Sequence, residues 1–305
     1  MSILIISHPD CALHDMGDGH PESPFRLDAI ASQLKIPGME DLYQYGDAPM
    51  ASIEQISMAH DRNYVDAVFS ASPVKGTVQL DPDTSMNPYT LTAARRAAGA
   101  VIHGIDQIMS GKHKKAFCNI RPPGHHAERN RAMGFCIFNN IAVGAIHALQ
   151  THGIKKIAIV DFDVHHGNGT EDIFKDNPAV MLCSSFQHPF YPYSGADTLS
   201  DNIINLPLPA GTDGHAYRNA VEMRFLPALE SFQPELVMIS AGFDAHVNDP
   251  LAGLRLVEDD YAWITSKVKD IADQFANGRL ISVLEGGYDL DALSSSVVSH
   301  LEAMV

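Results

Sequence analysis

Six short apolar runs, several of them β-branched, recur along the chain at 3–6, 116–118, 157–160, 180–183, 236–239 and 280–284. Each is too short for a buried helix and long enough for a buried strand. Helical periodicity fills the stretches at about 89–110, 138–152, 214–230, 257–276 and 289–303. Strands that alternate with helices need βαβ crossovers, which predict a parallel sheet covered by helices on both faces. Ligands of such sheets sit beyond the carboxyl ends of the strands. The polar motifs of this chain fall there: His125-His126 after 116–118, Asp161 onward after 157–160, Asp244 after 236–239, and Glu285 to Tyr288 after 280–284.

No tandem repeat, low-complexity tract or linker interrupts the 305 residues, so one continuous domain over 1–305 is expected. With 45% hydrophobic residues the chain can bury a large core. No apolar run reaches the ~18 residues that a membrane span needs. The opening MSILIISHPD has no basic leader region and reads as a first strand. Cys11, Cys118, Cys136 and Cys183 lack paired spacing, which fits a reducing, cytoplasmic setting. A formal net charge of −16 argues against bare nucleic acid or an anionic membrane as partners. The same charge serves solubility, or favours cationic ligands near a site.

The segment IAIVDFDVHHGNG at 157–169 carries the most chemistry. In extended backbone, alternate side chains share a face, so Asp161, Asp163 and His165 can project together. Two carboxylates and an imidazole are costly to crowd at the end of an apolar strand unless a cation neutralises them. The alternative is that Asp161 caps a helix and His165 is a satisfied core residue. A catalytic zinc takes N and O ligands and keeps one position open. Asp163 and His165 supply two, and Asp244 in SAGFDAH is the candidate for the third, although alone it suits a turn or cap equally. Fe²⁺ or Co²⁺ would suit the same donors.

Two adjacent imidazoles in RPPGHHA at 121–127 suit a base that takes a proton from water and returns one to a leaving amine. The glycines of EGGY at 285–288 permit a sharp turn, and Tyr288 can donate its hydroxyl to an oxyanion. By itself each could be an ordinary surface loop or a buried structural tyrosine. The parts together serve metal-assisted amide hydrolysis.

These stretches, with GFCIFNN at 134–140 and HPESPFR at 20–26, closely resemble the zinc-dependent histone deacetylase family, including its bacterial amidohydrolase and acetylpolyamine deacetylase relatives. The resemblance runs from about residue 8 to 290. It implies the arginase/deacetylase fold, a single α/β domain around a parallel sheet of about eight strands. It implies Asp163, His165 and Asp244 as zinc ligands, His126 as general base and acid, and His125 as its electrostatic neighbour. Asp161 would orient His125, Asn168 would sit behind His126, and Tyr288 would polarise the acyl carbonyl. Class I relatives usually carry Asp where this chain has Asn168, as class II-type relatives do not. Phe135 and an aromatic from Phe190-Tyr191 would wall a narrow tunnel for the lysine stem, with Gly134 and Gly286 bordering substrate. Arg26 would line a cavity below the metal. Asp161, Asp163 and Ser184 would help hold a monovalent cation, K⁺ or Na⁺.

Two features bear on substrate. Tyr288 matches the deacetylation-competent members. Polyamine-selective relatives carry an acid after the Asp-Pro that follows the third ligand, where this chain has Leu251. A leucine cannot pair with a cationic nitrogen, which favours acetyl-lysine in a protein or peptide over an acetylated polyamine or other small acylated amine. Asp15, Asp18 and Glu22 are expected near the rim, where they would still attract a cation. A non-catalytic acyl-lysine binding module is the reading that retention of His126 and Tyr288 opposes. The binuclear manganese ureohydrolases share the fold, but their second set of metal carboxylates is missing here. The sequence leaves a homo-oligomer open.

Overall fold

In a computed structural model, residues 2–35 and 42–305 are described; residues 1 and 36–41 of the expected 1–305 domain lie outside them. The strands are β1 (Ile3–Ser7), β2 (Tyr43–Asp47), β3 (Val78–Asp81), β4 (Thr84–Met86), β5 (Lys115–Cys118), β6 (Ile157–Asp161), β7 (Val180–Gln187), β8 (Ile203–Leu208), β9 (Leu236–Ala241) and β10 (Leu280–Leu284). The helices are α1 (Phe25–Gln33), α2 (Ile53–Ile56), α3 (Arg62–Ala71), α4 (Thr90–Met109), α5 (Asn140–Thr151), α6 (Asn168–Phe174), α7 (Gly214–Phe232), α8 (Glu258–Phe275) and α9 (Leu290–Met304).

Eight strands form one sheet in the order β2-β1-β5-β10-β9-β6-β7-β8. Every pairing in it is parallel. The five helices read from periodicity are present within one or two residues. Side chains set several of their starts: Asn139, Asp213 and Asp289 accept from the backbone N–H groups of Ala142, Ala216 and Ala292, which satisfies donors that a helix leaves free. Helices α8 and α5 both pack on β9 but belong to different clusters, α7–α8–α9–α1 and α4–α5–α6, so both faces of the sheet are covered. None of the described helices is long and apolar enough to cross a membrane.

This strand order does the positioning. The four strands β5, β10, β9 and β6 are consecutive neighbours, and their carboxyl ends carry the four polar motifs. In register, Asp161 lies beside Ser184 on β7 and Ser240 on β9.

Behind the sheet, His300 on α9 is wholly buried, with Nδ1 on Thr265 Oγ1 at 2.6 Å and Nε2 on Ser282 Oγ at 2.8 Å. Burial pushes its pKa down to about 3, so the folded state holds it neutral. The depressed value means that its contribution is complete above the unfolded pKa of about 6.5 and is lost as pH falls below it. Between pH 6.5 and 5 this removes roughly 2 kcal/mol of stability. Urea titrations across that range should show a flatter pH dependence in His300→Gln, by about one proton. Equal slopes in variant and parent would contradict the buried neutral state.

Candidate active site

Three carboxylates and an imidazole meet where β6 and β9 end. Asp161 closes β6, and its Oδ1 accepts from Asp163 N at 3.1 Å. Asp163 Oδ1 accepts from His165 N at 2.9 Å, while its Oδ2 accepts from Gly286 N at 2.8 Å. Asp244 Oδ1 accepts from Val164 N at 2.8 Å. These backbone bonds turn one atom each of Asp163, His165 and Asp244 towards a common point, all within 4.8 Å of one another. His165 Nδ1 lies 3.0 Å from Asp163 Oδ1 and 3.2 Å from Asp244 Oδ2.

The electrostatics show how crowded this point is. Burial first, and then the neighbouring Asp163, push Asp244 up to about 7. Burial would push His165 down, but Asp163 and Asp244 raise it to about 10. Asp163 is held well below the usual carboxylate range, because His125 and His165 outweigh its burial. An N/O/O donor set of this kind, buried and overloaded with negative charge, fits a divalent cation. The glycine behind it fits too: a Cβ on Gly286 would stand 2.1 Å from Asp244 Oδ2 and 2.6 Å from Asp163 Oδ2. Ser184 Oγ is buried with no hydrogen-bond partner among the described residues, which suits the oxygen-seeking monovalent ion expected beside Asp161.

Two imidazoles from the loop after β5 face this point, their centroids 4.1 Å apart. His125 Nδ1 donates to Asp161 Oδ2 at 2.9 Å. Burial opposes its charge, yet Asp163, Asp161 and Glu285 hold its pKa well above the ordinary histidine value. His126 is pushed well below that value by burial, then by His125 and His165. Two adjacent groups with pKa values driven apart make a charged partner and a neutral base. The tautomer of His126 follows from its neighbours. Asn168 Nδ2 donates to Glu128 Oε1 at 2.8 Å, so its Oδ1 must face His126 Nδ1, at 2.7 Å. Nδ1 therefore carries the proton and Nε2 offers its lone pair.

Above these groups lies a cavity of about 220 Å³ lined by Asp83, His126, Gly134, Phe135, His165, Phe190, Tyr191, Leu251 and Tyr288. Phe190 stacks on His165 at 5.4 Å, Tyr191 sets its edge on His126 at 5.4 Å, and Phe135 meets Tyr288 edge-on at 6.0 Å. Both members of the Phe190-Tyr191 pair therefore form walls. Gly134 has φ +57°, and a Cβ there would lie 2.3 Å from His126 Cδ2, so only glycine allows the loop this close to the His126 ring. Gly286 sits against the carboxylates and is not among the cavity-lining residues, contrary to the expectation that it borders substrate.

Other expectations change as well. Glu22 does not lie on the rim: it is fully buried and paired with Arg121, whose Nη2 is 2.6 Å from Oε2, and with Arg26, whose Nη1 is 3.1 Å from Oε1. Asp15 and Asp18 do line an adjoining cavity of about 410 Å³ that shares Tyr288. Arg26 donates to the carbonyls of Gly287 at 2.7 Å and Glu285 at 2.5 Å, and its guanidinium stands 5.1 Å over the Tyr288 ring. These contacts brace the loop that carries Tyr288. Four acids had no role assigned from the sequence, although Glu285 and Asp249 stand in motifs noted there. Glu285 Oε2 accepts from Gly124 N and His125 N at 2.7 and 3.1 Å, fixing the histidine loop. Asp249 Oδ2 accepts from Tyr288 N at 2.7 Å. Glu128 sets Asn168, and Asp83 lies on the cavity wall. The only sequence signal for Glu285 was an acid placed directly after an apolar strand.

Fold and site together define a metal-dependent amide hydrolase of the arginase/deacetylase architecture. A family model described as Histone deacetylase domain matches residues 20–304. The chain is 39% identical to the Uncharacterized protein slr0245 of Synechocystis sp., covering 99% of both chains. It is 38% identical to the Histone deacetylase-like amidohydrolase of Pseudomonas aeruginosa, over 88% of this chain and 73% of that one. The crystal structure of the HDA15 HD domain superposes with a TM-score of 0.93 at 35% identity, covering 99% of this chain and 88% of that one. The chain belongs to the histone deacetylase family, whose members are amide hydrolases that are generally zinc-dependent.

The Glu22 lock yields a prediction. Burial would raise its pKa, but Arg121 and His14 hold it well below the carboxylate range. Glu22→Gln leaves two buried guanidinium groups short of their anion, and the loss should be about 3–5 kcal/mol of unfolding free energy. Chemical denaturation of parent and variant measures it; a loss under ~1 kcal/mol would mean that the loops are held by other contacts.

Proposed function

We propose that residues 1–305 form a catalytic unit that removes acetyl or other acyl groups from N-acetyl-lysine side chains of proteins or peptides. The observation that carries this reading is the narrow cavity whose Phe135, Phe190, Tyr191 and Leu251 walls lead to His126 and the Asp163–His165–Asp244 cluster. Apolar walls suit the four-carbon stem of an acylated lysine, which reaches the site without charge on its amide nitrogen.

Asp163, His165 and Asp244 would hold zinc, or Fe²⁺ or Co²⁺ in the same place, which would supply Lewis acidity for amide hydrolysis. Asp161, Asp163 and Ser184, whose buried hydroxyl has no hydrogen-bond partner among the described residues, would help hold a monovalent cation, K⁺ or Na⁺. His126 takes a proton from water at Nε2 and returns it to the departing amine nitrogen. The charged His125 lies against it and stabilises the negative charge that develops. Tyr288 donates its hydroxyl to the acyl oxygen. Burial, with Asp244 beside it, keeps that phenol well above its ordinary pKa, so the proton stays in place.

Deacetylation of an acetylated polyamine or other small acylated amine is favoured by one observation, the Asp83 carboxylate on the cavity wall, which can pair with a cationic nitrogen. Leu251 opposes it. Turnover of an acetyl-lysine peptide and an acetylated polyamine should be compared on the same zinc-loaded protein. The peptide should be the better substrate by kcat/KM, and a large preference for the polyamine would overturn the peptide reading. Tyr288→Phe should lower kcat on the peptide by about 10²–10³-fold.

A carboxylate in place of Asn168 should favour charged His126. Because Glu128 lies 2.8 Å from the Asn168 amide nitrogen, the clean variant is Asn168→Asp combined with Glu128→Gln, which avoids placing two carboxylates together. Activity needs the neutral base, so the acidic limb of kcat/KM should move to higher pH by about one unit. An unmoved limb would remove His126 from the role of base.

A further inference from the structure

A second group of metal-type side chains lies at the opposite end of the sheet. Helix α4 ends just before β5 begins, and α5 ends just before β6 begins, so both helix ends sit at the amino edge of these strands. There Asp106 of α4 faces His147 of α5 and His152, the residue that follows α5. The Nε2 atoms of both histidines stand 2.7 Å from the same oxygen, Asp106 Oδ1. The two rings meet edge to face, centroids 5.3 Å apart. One donor atom from each residue falls within 4.8 Å of the other two.

We propose that Asp106, His147 and His152 form a binding site for a divalent transition-metal ion, zinc-like in its preference for imidazole nitrogen and carboxylate oxygen. Two imidazoles directed at one carboxylate oxygen give an N/N/O set on one side of an ion. The Asp106 side chain is 43% exposed and that of His152 is 23% exposed, which leaves an entry path and room for water on the other side. The ligands come from two packed helices and the end of one of them, so their backbone positions are already fixed. Binding requires each histidine to turn its Nε2 lone pair to the metal and carry its proton on Nδ1. For His147 an acceptor for that proton is in place, since Thr151 Oγ1 lies 3.2 Å from Nδ1. Such outer hydrogen bonds orient metal-ligating histidines generally. Bonds of about 2.0–2.2 Å in tetrahedral geometry separate ligand atoms by roughly 3.3 Å. The 2.7 Å contacts must therefore open by about half an ångström, a small side-chain rotation at a partly exposed site.

This ion would tie α4 to α5 without touching the catalytic groups. The effect to expect is on stability and metal content, with turnover unchanged. The experiment uses the full chain with its catalytic metal loaded, titrated with Zn²⁺ or Co²⁺ and freed of excess ion, in the parent, His152→Gln and Asp106→Asn. Bound metal per chain is measured with the melting temperature and the deacetylase rate. The parent should bind one more equivalent than either variant, and added metal should raise its melting temperature but not theirs. Unchanged turnover in the variants shows that they are folded and that the catalytic metal is retained. Equal stoichiometry in parent and variants overturns the proposal, and so does an extra equivalent in the parent that persists in both variants. Neither result bears on the catalytic cluster, which Asp106 and His152 do not touch.

Discussion

Asp161, Asp163, Asp244 and Glu285 are fully or almost fully buried at the ends of three adjacent strands, and the site depends on what compensates them. Burying one unpaired carboxylate already costs several kcal/mol. Here four share a space with the imidazoles of His125 and His165. Backbone N–H groups answer part of the demand: Gly286 donates to Asp163, Val164 to Asp244, and Gly124 and His125 to Glu285. The remainder appears as displaced titration. Asp244 and Glu285 are both pushed up to about 7, each chiefly through burial. A divalent ion held by Asp163, His165 and Asp244 would remove this excess, so the chemistry and the stability of the strand ends point to one requirement.

The loops around the cluster are held by charge as well. Glu22 joins the early loop to Arg121, at the head of the histidine loop, and to Arg26, which in turn holds the carbonyls of Glu285 and Gly287. Three loops distant in sequence thus share one buried anion. The energetic value of such a lock lies mainly in the penalty for breaking it, since a buried ion pair gives little net stability over an apolar substitute. What it provides here is position. Tyr288 lies over the Arg26 guanidinium with its backbone N–H on Asp249, and both contacts fix the ring at the cavity wall.

The interior of this fold was legible because interior parallel strands are buried on both faces and read as unbroken apolar runs. The edges were not. Strand β2 is YQYGD, with Gln44 and Tyr45 exposed, and in β8 Ile204 and Asn205 are half-exposed and Pro207 is exposed. The β3–β4 hairpin has strands of four and three residues, too short to show a period. Site residues next to strand ends could be named because distance along the chain stood in for distance in space. Glu22 could not: it meets Arg121 across 99 residues, and an acid destined for a buried lock looks like any surface acid in its local sequence. Glu128 was hidden for the same reason, since its partner Asn168 is 40 residues away.

The division of labour between the two adjacent histidines follows from this geometry, since their intrinsic chemistry is the same. His125 is joined to Asp161 and lies 3.7 Å from Asp163, so negative charge surrounds it and keeps it protonated. His126, one residue on, is turned away to a neutral amide, and the charge of His125 then works against its own. Had Asn168 been a carboxylate, both rings would be drawn towards the charged form and His126 would hold less of its neutral form at low pH. The amide can keep its acceptor towards His126 only because Glu128 occupies its donor side. A single partly buried acid outside the cavity therefore fixes which nitrogen of His126 carries the proton. That contact passes through one rotatable amide, and so the supporting acid places the proton of His126 as the loop places its ring.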